Sequence, residues 1–169
     1  MYNVVHSFKK TQVRNFVLPI AFLFVITIGP GCLKSSDPCT PKTPSSETAQ
    51  LNAYCAGNGI TPTVDPSGLF YQIMSPGTGA TPSATSKVFI TYVGKLVDGT
   101  IFDQQSNSSQ TGWPLNQLID GWKVGLPLIK KGGEIKLVVP SSMAYGCAGY
   151  GSIPGNAILY FDITLVDVQ

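Results

Sequence analysis

Histidine is almost missing from this chain: the only one is His6. Nothing downstream of it can run a Ser-His-Asp or Cys-His mechanism or offer an imidazole to a metal. Charge is scarce too, with Asp, Glu, Lys and Arg at 12% of 169 residues. The nine carboxylates are scattered and make no clustered acidic motif for a hard cation. After residue 31, eight Lys and Arg stand against nine Asp and Glu, so no basic surface remains for nucleic acid. The glycine-rich stretches Gly57-Asn58-Gly59, Gly77-Thr78-Gly79 and Gly146 to Gly151 lack the spacing of nucleotide-phosphate loops and read as turns. Neither metal nor cofactor is expected.

A membrane-spanning hydrophobic run is lacking as well. Phe16 to Ile28 (FVLPIAFLFVITI) has 13 apolar-rich residues, whereas about 20 are needed to cross ~30 Å of hydrocarbon as a helix. Lys9, Lys10 and Arg14 precede this run and Gly29-Pro30-Gly31-Cys32 follows it. A basic start, a short apolar run and small residues form the pattern of a secretory signal, expected over residues 1–31. A small residue directly before Cys32 resembles the lipobox of bacterial lipoproteins, although Gly29 stands where that pattern usually has Leu. The resemblance implies a lipidated Cys32, an exported protein and anchoring to a bacterial membrane on the periplasmic or cell-surface side. Ordinary cleavage near Gly31 is the alternative. Residues 32–46, rich in Ser, Pro, Thr and Lys, have little to bury and are expected to be a flexible tether.

What the chain does have is a change of period. Over Ser46 to Asn58, with Ser46 as cap and Glu47 in the first turn, Leu51, Tyr54 and Cys55 fall on one helical face. That gives an N-terminal helical extension over 47–61, expected to dock on the main domain, with oligomerisation the other use of its apolar face. From Leu69 onward the period is two. Strands are expected at Leu69 to Met74, Val88 to Leu96, Thr100 to Phe102 after an Asp98-Gly99 turn, Ile135 to Val139 and Ala157 to Val168. One short helix interrupts them, opened by Asp120 as N-cap and closed by Lys130-Lys131-Gly132-Gly133, with Trp122, Leu126 and Ile129 on one face. Pro127 limits it to about two turns. The expected fold is α+β: a twisted antiparallel sheet with one short helix across its apolar face, preceded by the extra helix and the tether.

Aromatic residues are plentiful for a small β domain: Tyr92, Phe102, Trp113, Trp122, Tyr145, Tyr150, Tyr160 and Phe161. Of these, Phe102 ends a hairpin strand, Trp113 and Trp122 flank the loop into the short helix, and Tyr145 opens a glycine-rich loop. Around them run Thr91-Tyr92-Val93-Gly94, Asp98-Gly99-Thr100-Ile101-Phe102-Asp103, Pro114 to Trp122 (PLNQLIDGW), Lys131-Gly132-Gly133-Glu134, Ala144-Tyr145-Gly146, Ile153-Pro154 and Leu159-Tyr160-Phe161-Asp162-Ile163. In this order the motifs resemble the FKBP-type peptidyl-prolyl cis/trans isomerases, over about Leu69 to Val168 within a domain taken as 62–169. The resemblance implies a half-barrel sheet around one short helix and an activity that needs no cofactor. It makes Trp122 the floor of a proline pocket and Tyr92, Phe102, Trp113, Leu118, Ile119 and Phe161 its walls. Tyr145 and the Ile119 N–H are implied as hydrogen-bond donors to substrate carbonyls, and Asp103 lies at the rim near the Tyr92 hydroxyl. Tyr150 and Ile153 are added from the loop over the pocket. Proline-containing polypeptides are the implied partners, and the oligomeric state stays open.

With Cys32 assigned to lipid, Cys39, Cys55 and Cys147 remain. Exposed thiols of exported proteins tend to pair, and Cys55 sits on an apolar helix face where a free thiol acts as a small hydrophobe. A Cys39–Cys147 disulfide is therefore favoured over Cys55–Cys147.

Overall fold

A computed structural model describes residues 39–169. The expected signal segment, the first part of the tether and Cys32 lie outside the described residues.

Helix α1 (Pro44–Gly57) comes first. Its cap is Thr43, not Ser46: the Ser46 N–H donates to Thr43 Oγ1 at 3.3 Å, while the Ser46 hydroxyl turns back to the Thr43 carbonyl at 2.7 Å. Pro44 opens the helix at a position where its missing N–H leaves nothing unsatisfied. The helix thus takes in three residues that composition alone assigned to the tether.

Strands β1 (Thr63–Val64), β2 (Phe70–Ser75), β3 (Lys87–Leu96), β4 (Ile101–Gln105) and β5 (Trp113–Pro114) follow, then α2 (Asp120–Gly125), β6 (Gly133–Val139) and β7 (Leu159–Val168). They make one sheet, ordered β1-β2-β6-β7-β3-β4, with β5 also on β3 and every pairing antiparallel. At the β3–β4 turn Gly99 takes φ +90°, and Asp98 Oδ1 accepts from the Thr100 N–H at 2.9 Å. The polar segment after Phe102 is more ordered than its composition suggests. β4 continues to Gln105, a 3-10 turn spans Ser108–Gln110, and the chain returns along β3 as β5.

Ile119, not Asp120, caps α2: its carbonyl accepts from the N–H groups of Trp122 and Lys123, and Asp120 is the first helical residue. The helix tightens into a 3-10 turn at Leu126–Leu128, where Pro127 sits. Gly121 and Gly125 set how closely α2 lies on β6. A Cβ at Gly121 would come within 2.5 Å of Val139 Cγ1, and one at Gly125 within 2.7 Å of Leu137 Cδ2.

The sheet is covered on both faces. On one, α2 and the 3-10 turn that follows it pack Trp122, Leu126 and Ile129 against Val88, Ile90, Tyr92, Ile135, Leu137, Phe161, Ile163 and Leu165. On the other, α1 packs Leu51 and Cys55 against Phe70, Val138 and Ile158. Adjacent β6 residues Leu137 and Val138 are both fully buried for this reason, since each faces its own helix.

Candidate active site

The cavity between α2, β3, β4 and the loop after β6 has a volume of about 460 Å³. Its residues come from elements far apart in sequence but joined by the sheet register, in which Gly94 lies between Asp103 on β4 and Phe161 on β7. A Cβ at Gly94 would meet Phe102 Cζ at 2.8 Å and Phe161 Cε1 at 3.0 Å, so only glycine lets the two rings close over β3.

Trp122 is buried to 5% exposure and holds the centre of an aromatic set. Phe161 stands edge-on to it at 5.0 Å between centroids and Tyr92 at 5.1 Å; Phe102 meets Phe161 edge-on at 5.7 Å, and Trp113 meets Tyr92 at 6.2 Å. Edge-to-face contacts at these spacings are favourable for ring quadrupoles. The Trp122 Nε1–H is buried and has no hydrogen-bond partner among the described residues. Leu118, Ile119 and Gln117 close the side formed by the approach to α2.

Polar groups sit at the edges. The Tyr92 hydroxyl donates to Asp103 Oδ2 at 2.6 Å. Burial, then this bond and the carboxylate charge, raise the Tyr92 pKa well above the ordinary tyrosine value. Tyr145 is raised in the same direction, chiefly by burial and next by the charge of Asp103. Both phenols are therefore held in the protonated, donating form. Tyr150 stacks on Tyr145 at 5.3 Å with 14° between planes and is 70% exposed, forming an aromatic lip.

Of the residues expected in the site, Tyr92, Phe102, Asp103, Trp113, Leu118, Ile119, Trp122, Tyr145, Tyr150 and Phe161 line this one cavity. Ile153 does not. It is buried beneath the lip and bonded to Tyr150 through both backbone pairs, Tyr150 N–H to Ile153 O at 3.0 Å and Ile153 N–H to Tyr150 O at 2.8 Å. It supports Tyr150 instead of facing the cavity. Gln117 was missed: a lone glutamine inside an apolar motif carries no periodic signal of where it points. Cys39 and Cys147 form a disulfide with Cα atoms 5.4 Å apart, and Cys55 is free and buried.

A small antiparallel α+β domain with an aromatic cavity over its short helix defines a class. The model of the FKBP-type peptidyl-prolyl cis-trans isomerases matches residues 79–166, and the chain belongs to that family. It is 46% identical over 104 residues to the FKBP-type peptidyl-prolyl cis-trans isomerase FkpA of Aeromonas hydrophila, an alignment covering 61% of this chain and 39% of that protein. With FkpA of Escherichia coli strain K12 the identity is 46% over 106 residues, covering 60% of this chain and 38% of the relative. The chain thus spans about two-fifths of the length of these curated relatives. Among solved structures it is similar to the crystal structure of Escherichia coli FkpA, with a TM-score of 0.64 and 37% identity over 74% of this chain and 60% of that one. It is also similar to a peptidyl-prolyl cis-trans isomerase from Pseudomonas syringae pv. tomato, with a TM-score of 0.62 and 32% identity over 77% of this chain and 98% of that one.

Proposed function

We propose that this domain catalyses cis/trans isomerisation of X-Pro bonds in exported polypeptides. The observation that carries the reading is the aromatic cavity floored by Trp122, with protonated phenols at its edge. Amide resonance sets a barrier of ~18–20 kcal/mol and makes the uncatalysed exchange take ~10–100 s. The planar amide is charge-separated, with a negative oxygen and a positive nitrogen. A twisted amide has lost that separation and is less costly to hold in an apolar site. Rings that accept the proline side of the twisted bond, with Tyr145 donating to a carbonyl, bind the transition state better than the ground state. In this reading Trp122 is the floor; Tyr92, Phe102, Trp113, Leu118, Ile119 and Phe161 are walls; Asp103 orients Tyr92; and Tyr150 meets the residue before proline. No proton is transferred and no covalent bond is made.

The test is a protease-coupled or NMR exchange assay with an apolar-X-Pro peptide. Acceleration by the wild-type chain supports the reading. A folded domain that binds the peptide without speeding its exchange would make it a binding module.

Export and lipid anchoring form the second part of the proposal. The signal-like pattern before Cys32 supports it, as does a disulfide that belongs to an oxidising compartment. Lipidation at Cys32 would supply more than one acyl chain, which is what stable anchoring takes. A fatty-acid analogue should label the wild type and not Cys32→Ser; an unlabelled wild type released in soluble form would defeat the anchor.

A further inference from the structure

The loop that carries Tyr145 is fastened from the N-terminal side of the chain. Glu47, in the first turn of α1, has a side chain with no exposure, and its Oε2 accepts the Ser141 N–H at 2.8 Å across 94 residues of sequence. The Ser141 carbonyl in turn accepts from Ala144 N–H at 3.1 Å and Gly146 N–H at 2.8 Å, which flank Tyr145 on both sides. The same loop is held by the Cys39–Cys147 disulfide and by Asn156, whose side chain donates to the Thr40 carbonyl at 3.2 Å and whose N–H donates to Gly146 O at 2.8 Å.

A fully buried carboxylate is costly. Among the described residues this one meets the helix N-terminus, a Lys42 ammonium 3.9 Å from Oε1 and one loop amide at Oε2, while Oε1 accepts no hydrogen bond. Docking α1 needs only Leu51, Cys55 and their apolar partners. An apolar residue at 47 would serve that contact at lower cost, so the carboxylate is tied to the loop and not to the helix.

We propose that Glu47 is a positioning residue for the site: through the Ser141 amide it fixes the turn that presents Tyr145, and with it the stacked Tyr150. The assignment rests on the isomerase reading above. Two substitutions separate reach from charge. Glu47→Gln keeps an oxygen at the same reach and still accepts the amide. Glu47→Asp keeps the charge but draws the carboxylate back by one methylene.

In the full chain, with folding checked by circular dichroism, Glu47→Asp should lower kcat/KM for an apolar-X-Pro peptide about tenfold, since small misplacements of a positioned group are costly. Glu47→Gln should retain most of the rate. In a Tyr145→Phe background the Asp substitution should cost clearly less, because both changes act through one group. Equal losses for Gln and Asp, or an undiminished loss in the Tyr145→Phe background, would overturn the assignment. Amide exchange at Ala144 and Gly146 decides it independently of turnover. Exchange that speeds up in Glu47→Asp but not in Glu47→Gln upholds the role even if the wild type proves inactive, and unchanged exchange in both removes it.

Discussion

The Tyr92–Asp103 pair shows how the site keeps its donors. The phenol is buried and the carboxylate that accepts from it would repel a phenolate, so both effects favour the protonated ring. Tyr145 is held protonated by the same two causes. A raised phenol pKa means that the folded state holds the proton more tightly than the unfolded chain does. The associated stability is fully present below the unfolded tyrosine value of 10.0 and is lost as pH climbs through the folded value. Activity should therefore be flat from roughly pH 6 to pH 9, where Tyr92 and Tyr145 both keep their protons, and the Tm should fall above about pH 10. A step in kcat/KM near neutrality would contradict this. Replacing Asp103 by Val removes a charged acceptor, a bond worth ~1.5–3 kcal/mol; the low end applies because Asp103 is itself exposed. The loss in kcat/KM should still exceed that of Tyr145→Phe, where one neutral bond of about 0.5–1.5 kcal/mol is at stake. At this scale the sequence was readable where aromatic residues sat in ordered motifs, as for Trp122 and Tyr92. It was unreadable for Ile153, whose direction depends on a two-residue bridge with Tyr150, and for Glu47, whose partner lies 94 residues away.

Element geometry turns on how closely α2 approaches β6. Gly121 and Gly125, one helical turn apart, face Val139 and Leu137 with no room for a methyl group. Gly→Ala within an exposed helix is favourable by ~1 kcal/mol, but here Gly121→Ala should be destabilising by ~1–3 kcal/mol through overpacking. Urea unfolding of the variant measures it, and a stabilised variant would mean that α2 can retreat. It would also shift Trp122 in the cavity, so ligand affinity should fall in parallel. Long alternating strands such as β3 and β7 were legible, because one face is buried along their whole length. β1 and β5, two residues each, are too short for a period to register. The caps at Thr43 and Ile119 were placed one to three residues too late. Polar residues that cap by rule, Ser46 and Asp120, stand just inside helices that begin earlier.

For the whole molecule the covalent tie among the described residues is the disulfide, joining residues 108 apart. By chain entropy a closed loop of that length contributes about 4–5 kcal/mol, although native disulfides commonly deliver ~2–5. Replacing both Cys39 and Cys147 by Ser should lower the urea midpoint accordingly and raise the m value, because the unfolded chain without the cross-link exposes more surface. Cys55, buried on the sheet-facing side of α1, should resist a thiol reagent until the domain opens. The architecture also bears on when the protein can fold. β7 lies in the middle of the sheet, between β6 and β3, yet it is the last strand in sequence. A chain delivered N-terminus first, whether from a ribosome or through a translocase, can at most pair β2 with β6 and β3 with β4, each with an exposed inner edge. Neither can close until residues 159–168 emerge. Completion is a single late event of high contact order, on the millisecond-to-second scale of sheets built from distant pairings. Until that event the protein is itself an incompletely folded polypeptide, with 13 prolines in its sequence.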